Sequence, residues 1–594
     1  MVYLNRLLGT LGILGLIWIS GSPFHPAVVA RPWILAAGLI PAALLAFWRP
    51  SAALRQWGYR MVFESPKRAF NLALFAAGAL LYSGLCWVLF QGIPHMDDAV
   101  AALFSAQLFS MGQFTWPLPP EPEFFKVFGV LSATENRPYL VGMYPPGWSA
   151  LLAGGVLIKA PWLVNPLLGG GLAVAISELG ESLYDRQVGR LAGILLLLSP
   201  FVGLISATHL SHTATALGVV LAWWAVWRMI ESEKWIYGAV AGCAMGMALL
   251  CRPATAFIAG IAIALVFVPK FRSLGRIWPG ALLAMALVFI SAGVLAGYQQ
   301  VATGNWRTPG HNVEMGPFAK LGFVQITGRW HHTPRTGAQF SGMRLTALNQ
   351  HLLGWPLLSL PLALVPLVLG RARFREYWLL APFGFLVLFF SAFWYFEVYY
   401  PGRYLFAGVP LLFLLIAAGL VQLARLPNPE SKWRRLPEFI AIAGILFSVS
   451  TGNMALFKTI SPHHGDVESV LPQVVRHYKI TNAVVFINAR GLWDRPWNRQ
   501  NDYYATGFQM NDLALQGDVI YARDLGPDNL RLMRRYPGRR YYLYYFDRQR
   551  HQGLLYQARP PVDQQITYTP VEPKDHWLYS DGQPLVVEIG NSPN

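Results

Sequence analysis

Runs of apolar residues with no charge among them constrain this chain more than any other feature. Thr213–Trp227 and Leu411–Leu420 hold no charged side chain, and similar runs recur between short clusters of charge. Such runs approach the ~20 residues a helix needs to cross a bilayer. The composition agrees, with 54% apolar and only 13% charged residues in a chain of 594. The expected fold is an α-helical polytopic membrane protein with about 11–14 transmembrane helices.

The net charge of +17 would suit a nucleic-acid partner if it formed one face, but it is dispersed. Arg49, Arg55, Arg60, Lys67 and Arg68 form one cluster, and Lys270, Arg272 and Arg276 a second. Arg371, Arg373 and Arg375 form a third, and Arg425, Lys432, Arg434 and Arg435 a fourth. Each lies in a short segment between apolar runs, the pattern by which cytoplasmic loops retain positive charge. The expected partners therefore include membrane lipids and no nucleic acid. Cys86, Cys243 and Cys251 all fall in apolar segments, which implies no disulfide framework. Met1–Ser20 reads as an anchor rather than a cleaved signal, because a second apolar segment, Pro32–Trp48, follows closely.

Three parts are expected. Residues 1–68 form a transmembrane hairpin and a basic cytoplasmic loop. Residues 69–457 form a transmembrane module with external loops at 92–144 and 301–350. Residues 458–594 form a small soluble α/β domain, because strand-like runs at Ala483–Asn488, Val519–Tyr521 and Tyr541–Phe546 alternate with turn-rich or helical stretches. With the basic clusters inside, Ala69–Phe90 runs outward, and both long loops and the C-terminal domain become extracytoplasmic. Two apolar stretches are broken, at Lys159-Ala160-Pro161 and at Cys251-Arg252-Pro253. Proline justifies each break without deciding between one bent span and two short helices.

Five constellations fall on the same, external side. Asp97 and Asp98 directly follow the exit of Ala69–Phe90, and charge at membrane depth points to function. Neighbouring residues on a helix point about 100° apart, so the two carboxylates are expected to divide roles: one for substrate, the other for a helix cap, a cation or a basic side chain. The helical pattern that follows, Ala99–Met111, suits a helix lying on the membrane surface. Tyr144, Pro145 and Pro146 mark the re-entry from the first loop, where Pro fits the first helical turn. His209 and His212, among hydroxyl neighbours, would donate hydrogen bonds, bind a metal or relay protons. Arg329, His331, His332 and Arg335, with Arg344 beyond them, have no zinc-finger spacing and would suit a phosphate. The aromatic turn Phe393–Tyr404 holds Glu397, Arg403 and Tyr404, which would cradle a sugar and pair Arg403 with phosphate. Each has a plainer reading, as helix cap, interfacial aromatic or local ion pair, but those readings do not place all five on one side.

In this order the motifs resemble those of the GT-C superfamily of polytopic glycosyltransferases, which includes the protein O-mannosyltransferases and the lipid A aminoarabinose transferases. The family's acidic pair, often Asp-Glu, appears as Asp97-Asp98. Its Tyr-Pro-Pro-Leu re-entry appears as Tyr144-Pro145-Pro146-Gly147-Trp148, and its Gly-Pro-Arg-Tyr element as Tyr400-Pro401-Gly402-Arg403-Tyr404. The resemblance spans roughly Ala69–Leu456 and extends to uncharacterised bacterial relatives with a short α/β tail. It implies transfer of a sugar from a polyprenyl-phosphate-linked donor to a cell-envelope glycan, lipid or protein on the outer face of a bacterial inner membrane. Under it Asp97 would be the general base, with inversion at the anomeric carbon, and Arg403 and the Arg329–Arg335 loop would meet the leaving phosphate. Asp98 would position Asp97 or share a divalent cation with His95 or His212. No cofactor is otherwise implied. The rival readings are a transporter or flippase of polyprenyl-linked glycans, against which no paired internal repeat is evident, and a non-catalytic scaffold whose tail recruits a partner.

Overall fold

The structure, a computed structural model, describes residues 2–20, 52–132, 138–267, 274–328, 330–355, 359–395, 397, 400–426, 436–448, 457, 460, 467–488, 504–547, 552–559, 567–570, 577–580 and 583–586. Pro32–Trp48, Arg49, Lys270, Arg272, Arg329, Lys432, Arg434 and Arg435 lie outside these, as do the last residues of the expected final span Phe439–Leu456.

The chain is a multi-pass membrane protein. Among the described residues six helices are long and apolar enough to cross a bilayer: Val2–Ser20, Lys67–Phe90, Pro161–Leu183, His212–Ser232, Gly275–Thr303 and Phe374–Ser391. The pair Arg186–Leu197 and Pro200–Ala207, bent by 60°, makes a seventh if it is one span. Pro146–Leu157, Ile236–Cys251, Pro253–Phe267 and Val409–Ala424 are apolar but shorter. The two breaks at proline each separate distinct helices: Pro146–Leu157 from Pro161–Leu183, and Ile236–Cys251 from Pro253–Ala264. In both, proline sits at the first helical position, where its missing N–H costs nothing.

The chain divides into two compact units. The first comprises residues 1–86, 162–295 and 320–459; the second comprises 87–161, 296–319 and 460–594.

In the first unit, three of the four basic clusters share one end of the helices. Lys67 Nζ lies 2.6 Å from Glu178 and 3.3 Å from Glu181. The fully buried Arg190 donates to the Val62 carbonyl (2.6 Å) and to Ser65 (2.9 and 2.8 Å), contacts Glu181, and stacks over Phe70. Arg375 pairs with Glu376 and lies over the Tyr184 ring, and Arg425 reaches Asp185. Positions 60–68, 371–375 and 425 thus gather around the turn at Leu183–Arg190. Breaking a buried charge network strands its partners. Arg190→Ala is expected to lower stability by about 3–5 kcal/mol, read as a lower melting temperature in nanodiscs.

Close helix packing elsewhere in this unit rests on glycine. A Cβ at Gly218 would lie 2.6 Å from the Ala244 carbonyl, and one at Gly180 would lie 2.5 Å from the Gly189 Cα. Helix His212–Ser232 therefore packs tightly against Ile236–Cys251, and Pro161–Leu183 against Arg186–Leu197.

The second unit is an α/β layer structure. Strands β1 (Trp116–Pro117), β2 (Val130–Ser132) and β3 (Tyr139–Gly142) form a small antiparallel sheet in the order β1-β3-β2. Strands β4 (Ala483–Ile487), β5 (Val519–Arg523), β6 (Arg540–Asp547), β7 (Gln552–Arg559) and β8 (Thr567–Pro570) form the larger sheet, in the order β8-β7-β6-β4-β5. β4 is parallel to both neighbours, while β7 and β8 are antiparallel additions. All five residues of β4 are buried, as expected of a central strand covered on both faces.

What covers those faces differs from the expectation for Ala99–Met111. The helix Asp97–Ser110 has a protein core, not a lipid surface, against its apolar stripe. Its Val100, Ala101, Phe104 and Leu108 are buried in one core with Val470, Leu471 and Val474 of helix Val470–His477 and with Val485 and Ile487 of β4. On the other face, Phe124 and Phe125 join Val484, Phe486, Ile520, Leu532 and Leu543. An apolar stripe specifies that a helix is covered, not what covers it.

Glu468, fully buried, opens helix Val470–His477. Its carboxylate accepts from the amides of Val470 and Leu471 and, at 3.0 Å, from the Tyr544 hydroxyl. Burial pushes its pKa up to about 7 despite these donors. The folded state therefore holds a proton that the unfolded chain has released, so this contribution is complete below about pH 4.5 and declines as pH rises to about 7. The melting temperature of the second unit is expected to fall across that window, and Glu468→Gln to flatten the decline.

Candidate active site

In the second unit, the acidic pair is set by the exit from helix Lys67–Phe90. Gln91 (φ 54°) and Gly92 (φ 72°) turn the chain in the left-handed region, where glycine is cheap. His95 follows, its Nε2 3.1 Å from the Phe90 carbonyl and its ring edge-on to Phe90. Met96, in extended conformation, is the N-cap residue. Asp97 and Asp98 are therefore the first two helical residues and neither is the cap. Their charges sit at the positive end of the helix dipole, where carboxylates are favoured. Asp97 is 6% exposed and Asp98 half-buried.

Asp98 Oδ1 accepts from the Tyr144 hydroxyl at 2.5 Å, joining the first two sequence constellations. Glycine permits this approach. Gly129 has φ 84°, and a Cβ there would meet Ala101 Cβ at 2.7 Å and the Tyr144 ring at 3.2 Å. A Cβ at Gly142 would lie 2.0 Å from Ser105 Oγ. The Tyr298 hydroxyl donates to the Gly142 carbonyl at 2.8 Å, fixing β3 from its other side. Pro145 caps helix Pro146–Leu157 and Pro146 is its first residue, so the two prolines set the backbone behind Tyr144.

In the first unit, the centre is Tyr404. Its ring is stacked with His212 (6.5 Å, 8°) and lies near the guanidinium carbons of Arg252 (5.3 Å) and Arg403 (5.5 Å). Phe390, Phe393 and Tyr395 complete an aromatic surround. His212 opens helix His212–Ser232, whose 21 residues span roughly 30 Å, so this cluster lies a full helix length from Glu233 and its partner Arg276. Arg252 returns to the same end because helix Ile236–Cys251 runs back and stops at Pro253. His212 and Arg403 are each 3% exposed. His209, also buried, precedes that helix, and burial pushes its pKa down to about 4, keeping the ring neutral.

Glu397 lies beneath this cluster. It binds Arg344 Nε at 2.6 Å and accepts the Tyr404 amide at 2.8 Å. Arg344 also donates to the carbonyls of Phe390 and Tyr395. Arg344 and Glu397 are essentially inaccessible, so they fix the turn bearing Arg403 and Tyr404. His332 is held between Thr336 Oγ1 (3.1 Å) and the Ser391 carbonyl (3.0 Å) and stacks with Phe323 and Phe340. His331 and Arg335 are exposed. Among the described residues no three His, Cys, Asp or Glu side chains are grouped to hold a metal ion.

A family model described as dolichyl-phosphate-mannose-protein mannosyltransferase matches residues 146–295. The matched stretch takes in Pro146, His209, His212 and Arg252 and begins after the acidic pair. ArnT from Cupriavidus metallidurans bound to undecaprenyl phosphate aligns at 10% identity, covering 80% of this chain and 93% of that one, with a TM-score of 0.47. An oligosaccharyltransferase from Archaeoglobus fulgidus aligns at 12% identity over 80% and 69% of the two chains (TM-score 0.39). The archaeal oligosaccharyltransferase AglB from the same organism, in complex with an inhibitory peptide and a dolichol-phosphate, aligns at 11% identity over 85% and 75% (TM-score 0.39). Comparison with curated protein sequences gives no match.

Sequence reasoning missed Arg252. The signal was present, since an arginine at a proline break inside an apolar segment is expensive without a role.

Proposed function

We propose that this protein transfers a sugar from a polyprenyl-phosphate-linked donor to an acceptor on the extracytoplasmic side of a bacterial inner membrane. The observation that carries the reading is the pairing of His212, Arg252 and Arg403 around Tyr404 in the stretch and the turn where the GT-C resemblance lies. Two guanidiniums at the end of apolar helices suit a lipid-borne phosphate, which each can bind through two parallel hydrogen bonds.

Asp97 is the general base in this reading. A hydroxyl acceptor is a poor nucleophile, and removal of its proton as the glycosidic bond forms supplies the driving force. The acceptor oxygen forms a bond to the anomeric carbon, the bond from that carbon to the phosphate oxygen breaks, and the acceptor proton passes to Asp97. Attack opposite the leaving phosphate inverts the anomeric centre. Arg252 and Arg403 stabilise the charge that develops on the phosphate. Asp98, through Tyr144, orients the acidic turn. Arg344 and Glu397 position the Arg403–Tyr404 turn, and His209 and His212 offer hydrogen-bonding groups to the donor.

The test is purified protein in proteoliposomes supplied with polyprenyl-phosphate sugars and candidate acceptors. Release of polyprenyl phosphate with a glycosylated acceptor supports the transferase. Lipid translocation without release would support a transporter, and neither would leave a scaffold. In the same assay Tyr144→Phe is expected to lower turnover about tenfold, with Asp98→Asn adding little to it, because the two side chains act through one bond.

A further inference from the structure

We propose that residues 460–594 are the support that positions the acidic helix, folding with it as one cooperative unit rather than as a separate appended domain. The inference rests on the reading of Asp97 as base for its functional consequence, but not for its structural content.

Strand β4 shows the arrangement most directly. Its alternate residues Val485 and Ile487 point into the core shared with Val100, Phe104 and Leu108 of helix Asp97–Ser110, while Val484 and Phe486 point into the core shared with Phe124 and Phe125. Period-2 alternation thus places two segments of one loop on opposite faces of the same strand. The Phe104 ring lies 5.7 Å from Phe508, and Phe124 lies 6.3 Å from Phe486. Arg531 pairs with both Glu121 and Glu123, flanking Pro122. Helix Val470–His477 covers one face of β4 and Leu532 and Met533 lie on the other, but without the loop each face would lose part of its apolar cover, so the sheet lacks a complete core of its own. Without the sheet, helix Asp97–Ser110 would expose its apolar stripe. A 14-residue helix is marginal in isolation, so the direction of its first turn, where Asp97 and Asp98 sit, depends on this packing. Displacing a catalytic group by about 1 Å can cost about 10²-fold in rate.

Hydrogen exchange on the full-length protein in nanodiscs tests the proposal. Phe508→Ala opens the contact with Phe104, Phe508→Leu restores apolar volume, and the exposed Arg534→Ala is a surface control. The expected result is that Phe508→Ala lowers protection of amides in Asp97–Ser110 and in β4 together, by about tenfold or more. Phe508→Leu should recover most of it, and Arg534→Ala should change neither. In the transfer assay Phe508→Ala should lower kcat about tenfold or more, with the donor KM within about twofold. Loss of protection in β4 with Asp97–Ser110 unchanged would overturn the proposal, and so would unchanged kcat despite joint loss. Failure of Asp97 as base shows separately, as full turnover by Asp97→Asn in a protein whose exchange pattern is intact.

Discussion

Asp97→Asn is expected to lower turnover by about 10²–10⁴-fold, the range that a positioned general base supplies. The substitution keeps size and hydrogen-bonding capacity while removing the lone pair that takes the proton. Because Asp97 is the first helical residue and Met96 is the cap, the change leaves the capping arrangement untouched. Folding should therefore survive, and the loss should appear in kcat with the donor KM nearly constant. Asp98→Asn is expected to cost less. That carboxylate is already committed to the Tyr144 hydroxyl, and an amide oxygen can still accept that hydrogen bond. The difference between the two neighbouring variants is the measurement that assigns their roles.

Arg252→Gln is expected to have the second-largest effect, about 10²–10³-fold in turnover, as for loss of one donor to a developing negative charge. Arg403→Gln should behave similarly, and the double variant should lose less than the product of the two, because both guanidiniums flank the same ring. Arg252→Lys should recover only part of the activity: it keeps the charge but lacks the planar fork that meets two phosphate oxygens. Donor KM should rise in all four variants, since the ground-state phosphate uses the same contacts.

The sequence carried the multi-pass membrane class well, and for a physical reason, although the described residues hold six or seven sufficient spans where about 11–14 were expected. A bilayer requires long uncharged runs, and charges collect where those runs end. Thus Lys67–Phe90, His212–Ser232 and Phe374–Ser391 are visible from composition alone. Three of the five strands of the larger sheet were also legible as Ala483–Asn488, Val519–Tyr521 and Tyr541–Phe546, because buried strands are short continuous apolar or aromatic runs. Asp97 and Asp98 at a helix start, and Pro146 in a first helical turn, followed from local backbone chemistry.

What the sequence did not carry is partnership over distance. The stripe Val100–Phe104–Leu108 would suit a bilayer surface as well as a core, and most of its cover comes from residues more than 350 positions later. Glu397 looked like a local partner for Arg403, yet its guanidinium partner in the fold is Arg344, 53 residues away. His332 belonged to an apparent phosphate loop, but both its ring nitrogens are engaged by Thr336 and Ser391. Arg252 was noticed only as an interruption of a span. Its place beside Tyr404 is visible once helix Ile236–Cys251 returns it there.

The most direct measurement is the release of polyprenyl phosphate from a radiolabelled polyprenyl-phosphate sugar, with wild-type protein and Asp97→Asn compared at equal folded concentration. The account predicts acceptor-dependent release by the wild type and at least a hundredfold slower release by the variant. Equal release by the two proteins would contradict it.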